Sequence, residues 1–125
     1  MAEKRSCVAG EEVRLVFPCS GGADVGELAD RAARKLNEAG TAQIYCLAGI
    51  GGRVSGIVES TRAAGLRMVI DGCPLRCASR TLQEAGMAVD CQICVTDLGF
   101  EKGGTDVTSE AIAGVVDAAE RTLNG

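Results

Sequence analysis

Short β-rich apolar runs alternate along this chain with longer segments whose apolar residues recur at helical spacing. That alternation restricts the fold to the α/β class. Val13-Arg14-Leu15-Val16-Phe17 reads as a first strand, ended by Pro18 and the turn Ser20-Gly21-Gly22. Val25, Leu28, Ala29, Ala32 and Leu36 then repeat at helical spacing, with Asp24 as the expected N-cap and Gly40 as the stop. Ala42 to Leu47 reads as the second strand, closed by Gly49 to Gly52, and Val54, Ile57, Val58 and Thr61 mark a second helix ending near Gly65. Arg67 to Ile70 reads as the third strand, and Pro74, suited to a first helical turn, is expected to open a third helix running to about Gly86. Val89 to Thr96 is the fourth strand; Ile112, Val115, Val116, Ala119 and Leu123 mark the last helix.

Strands alternating with helices imply right-handed crossovers and a parallel sheet covered on both faces. The expected fold is a single-domain, four-stranded, three-layer α/β architecture of flavodoxin or Rossmann type. Its expected strand order is 2-1-3-4, with 1-2-3-4 as the alternative. The domain is expected over residues 13–125, behind an N-terminal tail of residues 1–12. Glu101 to Asp106 reads as a mobile surface loop.

Composition narrows the function. The 125 residues fit one domain, and only Phe17, Tyr45 and Phe100 are aromatic, so the core is aliphatic and base stacking has little to work with. A net charge of −4 argues against nucleic acid or an anionic membrane as partner. No apolar run approaches membrane-spanning length, and Met1 to Ser6 is too charged and too short for a signal peptide. A cytoplasmic monomer or weak dimer, with a metal ion as its partner, is the expectation. The sequence has no histidine, which excludes Ser-His and Cys-His relays and imidazole ligands. It has seven cysteines, an odd number that suits metal or thiol chemistry better than a disulfide framework.

On the strand scheme, Cys19 follows strand 1, Cys46 ends strand 2, and Cys73 follows strand 3. Cys77 lies four residues further on and is expected one helical turn in, on the same face as Cys73. All four then fall at the carboxyl edge of the sheet, where open α/β folds build their sites. Neighbouring strands run about 4.8 Å apart and zinc–sulfur bonds are about 2.3 Å, so loops from three adjacent strands can gather four sulfurs around one zinc ion. Any one of these cysteines alone would pass as a small core residue; the convergence of four points to a metal. Cys91 and Cys94 spell Cys-x2-Cys, but residues three apart in a strand face opposite ways, so both read as core. Cys7 is the odd thiol of the tail.

Four segments carry a family resemblance: Cys19-Ser20-Gly21-Gly22-Ala23-Asp24-Val25-Gly26, Cys46-Leu47-Ala48-Gly49-Ile50-Gly51-Gly52, Asp71-Gly72-Cys73-Pro74-Leu75-Arg76-Cys77 and Val95-Thr96-Asp97-Leu98-Gly99. In order and spacing they resemble the DGC-domain family of zinc-binding proteins, named for the motif present here as Asp71-Gly72-Cys73. The resemblance runs from about Val13 to Ala119. It implies a four-cysteine site on Cys19, Cys46, Cys73 and Cys77, while Cys7, Cys91 and Cys94 fall outside the motifs.

Several further residues admit more than one reading. Asp71 is a helix cap, a substitute ligand, or an outer acceptor beside the ligands. Asp97 lines the same edge or is an ordinary turn residue. Arg76 and Arg80 form a solvated helix face or turn toward the thiols and attract an anion. The glycine loops at Gly21-Gly22 and Gly49 to Gly52 complete neither a P-loop nor a dinucleotide fingerprint, and tight βα turns account for them. The leading functional expectation is a zinc-binding protein. The alternative is a thiol redox enzyme, or a handler of soft metals and metalloids, working through Cys73 and Cys77. A third and weaker option is an iron–sulfur cluster, which also accepts four cysteines.

Overall fold

A computed structural model describes residues 13–125. The expected tail of residues 1–12, with Cys7 in it, lies outside the described residues. Four parallel strands, β1 (Arg14–Pro18), β2 (Gln43–Ile44), β3 (Leu66–Asp71) and β4 (Cys91–Cys94), form one sheet in the order β2-β1-β3-β4. This is the flavodoxin-like order expected from the sequence. The register pairs Val16 with Ile44 on one side and with Met68 on the other, and Asp71 with Cys94.

The helices are α1 (Asp24–Glu38), α2 (Leu47–Gly51), α3 (Ser55–Ala63), α4 (Cys77–Glu84) and α5 (Ser109–Asn124). Side chains alternate across the strands, so the two central strands, β1 and β3, feed two cores. Val16, Met68, Ile70 and Ile93 pack with Leu28, Ala32 and Leu36 of α1 and Ile112 and Val115 of α5. Leu15, Phe17 and Val69 face the other way, against Ile50 of α2 and Ala78 and Leu82 of α4, with Ile57 and Val58 of α3 beside them. Full burial of an aliphatic side chain of this size stabilises by roughly 1.5–3 kcal/mol, which makes these two aliphatic layers the main source of cohesion.

Local boundaries differ from the sequence reading. The second strand is only Gln43–Ile44, because Cys46 caps the short helix α2, its sulfur accepting from the Gly49 N–H at 3.3 Å. The fourth strand stops at Cys94 and passes into a 3-10 turn over Val95–Leu98. The third helix begins at Cys77, not Pro74, since Arg76 adopts a left-handed conformation (φ 55°, ψ 47°) that breaks any helix running through it. Cys77 is therefore the first helical residue, with Cys73 in the preceding turn.

Candidate functional site

Because all four strands are parallel, every βα connection leaves from the same edge. The strand order reverses between β1 and β3, and the crevice at such a switch point is where this class of sheet binds ligands. Cys19 and Cys73 follow those two strands. The Cys19 N–H donates to the Ile70 carbonyl at 2.9 Å, carrying the β1–β3 pairing one residue past the strand. Cys73 is 9 % exposed and belongs to the core on the α1/α5 face, and half-buried Cys19 packs against that core. Cys46 and Cys77 are exposed and stand at the starts of α2 and α4, two helices that pack together over the opposite face. The four sequence-predicted cysteines thus share one edge but approach it from two sides. Among the described residues, no three cysteine or carboxylate side chains are gathered into a group that could hold a metal ion.

Asp71 is the best-organised polar group at this edge. It is completely buried, and its Oδ1 accepts from the N–H groups of Ala78 (3.0 Å) and Ser79 (3.3 Å), while Oδ2 accepts from the Ser79 hydroxyl (2.5 Å) and the Gln92 amide (3.0 Å). Of its three sequence readings, the cap is the one realised. It acts from the end of β3 upon the first turn of α4, and Oδ2 also accepts from Gln92 of β4.

Gly72 lies against α1: a Cβ there would stand 3.1 Å from the Val25 carbonyl and the Gly26 nitrogen. Gly26 is as close to the preceding loop, since its Cβ would come within 2.8 Å of the Gly21 backbone. Two backbone contacts without side chains therefore bring the loops bearing Cys19 and Cys73 together.

The other candidates separate from the thiols. Arg76 and Arg80 border an open groove of about 670 Å³ beside α4, with Gln83 and Gln92, and no cysteine lines it. Arg80 Nε donates to the Leu75 carbonyl at 2.9 Å. Asp97 is exposed in the 3-10 turn. Cys91 packs against the α1/α5 core, where burial and then the Asp90 charge push its thiol up. Cys94 is buried beside Thr96, sulfur to hydroxyl 3.3 Å, so the core reading holds for Cys94, while Cys91 is half-buried at the core's edge.

Two contributors were not legible locally. Asp24, expected as an N-cap, is the first residue of α1, and its carboxylate accepts from Val25, Gly103 and Thr105 N–H groups. The segment Glu101 to Asp106, expected to be mobile, is thereby tied to α1. Lys102 within it places Nζ 3.5 Å from the Cys73 sulfur. A lone lysine in a glycine-rich loop was the only trace of this in the sequence.

Fold and edge together define a flavodoxin-like α/β domain whose βα loops carry cysteines instead of a nucleotide fingerprint. The chain belongs to the DGC-domain family, whose model matches residues 15–119. Among curated proteins it is similar to the anaerobic and virulence modulator AnvM of Pseudomonas aeruginosa strain PAO1, with 33 % identity over 88 residues, covering 70 % of this chain and 67 % of that protein. No solved structure matches it. No helix among the described residues is long and apolar enough to cross a membrane.

Proposed function

We propose that this chain binds zinc through Cys19, Cys46, Cys73 and Cys77 at the carboxyl edge of the sheet, and that the site serves regulation more than catalysis. The observation that carries this reading is the delivery of four thiols by the loops of three adjacent strands, β2, β1 and β3, to one edge of a chain without histidine. The donor set fits a soft divalent ion in kind. Since the sulfurs approach from two faces, metal binding and closure of the Cys46 and Cys77 loops over Cys19 and Cys73 are one event. A bound ion would staple three loops and leave no open position, a structural or sensory role. A relative named as an anaerobic and virulence modulator agrees with a regulatory role.

Metal analysis of protein purified anaerobically tests this. About one zinc per chain is expected; a folded, colourless, metal-free protein that takes up no added zinc rejects it, and a brown iron-bearing one replaces zinc with a cluster.

One observation favours a second reading, thiol chemistry at Cys73. That sulfur is buried under a lysine ammonium, and the Arg76 N–H to Cys73 carbonyl bond (3.0 Å) closes the turn leading to Cys77. Oxidation would join Cys73 to Cys77, each sulfur giving up one electron and its proton to a disulfide or peroxide oxidant.

A further inference from the structure

The loop carrying Lys102 is built, not merely draped. Its Gly104 N–H donates to the Glu101 carbonyl at 3.0 Å, and the Thr105 hydroxyl donates to the same oxygen at 2.7 Å. Gly103 takes the positive φ of 88° that the turn requires. Asp24 then holds the turn from outside: Gly103 N–H reaches Oδ1 and Oδ2 at 2.9 and 3.0 Å, and Thr105 N–H reaches Oδ2 at 2.9 Å. These contacts span 79 and 81 residues of sequence. Between the two anchored amides and the Glu101 carbonyl, Lys102 extends to the Cys73 sulfur.

We propose that Lys102 is the charge partner of Cys73, positioned by the Asp24 latch, and that it selects anionic over neutral ligands at this thiol. The proposal rests on the reading of the carboxyl edge as a working thiol site. An ammonium at contact distance from a sulfur lowers the energy of any negative group brought to that sulfur. With metal held, the same cation offsets the net negative charge that four thiolates leave on a divalent ion. Without metal, a small anionic soft electrophile or oxyanion is the class of ligand it favours. Lys102 touches the thiol and Asp24 acts through Lys102, so the two have separable signatures.

The experiment compares iodoacetate, which is anionic, with iodoacetamide, which is neutral. Both are displaced at carbon by the sulfur with loss of iodide, so their rate ratio at one thiol reports local charge. Rates are read per cysteine by mass spectrometry on the reduced full chain at one fixed pH, with and without chelator. In Lys102→Met the iodoacetate-to-iodoacetamide ratio at Cys73 should fall about fivefold, the size of one unit-charge interaction at contact in water. Lys102→Arg should restore it, and the ratios at Cys46 and Cys77 should not move. Asp24→Asn should lower the Cys73 ratio as Lys102→Met does, while raising both absolute rates as the strap opens. Should Asp24→Asn fail to fold, slow hydrogen exchange at the Gly103 and Thr105 amides of the unmodified chain supports the latch, and fast exchange overturns it. An unchanged Cys73 ratio in folded Lys102→Met overturns the charge partnership. The zinc content of the unmodified chain decides the metal reading separately, since the rate ratio is defined whether or not zinc binds.

Discussion

The Ser79 hydroxyl donates to Asp71 Oδ2 at 2.5 Å, a bond between two buried side chains that joins the end of β3 to the first turn of α4. The bond sits beneath the motif that carries two of the four site cysteines. Asp71 fixes where α4 starts, because its other oxygen holds the Ala78 and Ser79 amides, and Cys77 is placed one residue earlier.

Asp71→Ala strands two helix N–H groups, the Ser79 hydroxyl and the Gln92 amide. It should cost ~3 kcal/mol of stability in urea unfolding, since buried partners of a charged acceptor lose their bonds without regaining water. Ser79→Ala removes one donor and should cost about 1 kcal/mol. Equal small losses in the two variants would show that Asp71 does not organise the helix start.

Close backbone approach makes Gly72 and Gly26 intolerant of side chains. Gly72→Ala should destabilise by roughly 1–3 kcal/mol and Gly26→Ala by at least as much, since the added methyl meets backbone in both places. Gly114, exposed within α5, has only the Phe100 ring at 3.7 Å, so Gly114→Ala should stabilise by about 0.5–1 kcal/mol. Thermal melts of the three variants check both signs.

Acid should release the strap. The Gly103 and Thr105 N–H groups hold the Asp24 carboxyl below the ordinary value of 3.8. A depressed carboxyl contributes stability that is complete above its unfolded value and lost as pH falls through the folded one, so the latch is intact above pH 3.8 and opens below it. Amide chemical shifts of Gly103 and Thr105 followed down through this range should move together. Asp24→Asn should abolish that transition; its persistence there would assign it to another group.

Single replacement of Cys19, Cys46, Cys73 or Cys77 by Ser should speed zinc loss to a chelator by about tenfold or more, while Cys91→Ser and Cys94→Ser should not. Three thiolates still bind zinc, so the comparison is made under chelator competition and not by metal content alone. Chelation of the unmodified protein should also lower its Tm, because binding free energy becomes folding free energy. Zinc released as readily from Cys91→Ser as from Cys73→Ser would break the assignment.

Periodicity in the sequence carried the architecture. Val16 and Phe17 face opposite cores because strand side chains alternate, and Leu28, Ala32 and Leu36 line one helical stripe; both patterns are written in consecutive residues. Parallel strands send every βα loop to one edge, so the shared edge of Cys19, Cys46, Cys73 and Cys77 followed from chain order as well. The boundaries at Cys46 and Cys77 did not follow. A sulfur accepting from Gly49 and a carboxylate reaching from Asp71 to Ala78 reset the helix starts, and neither bond has a periodic signature. Only the tertiary structure decided that Cys19 and Cys73 approach from one face and Cys46 and Cys77 from the other. It alone brought Lys102 to Cys73 and Asp24 to Gly103, across 29 and 79 residues. Hydrogen bonds of that span depend on how packed layers place distant loops, and local sequence holds no record of that placement.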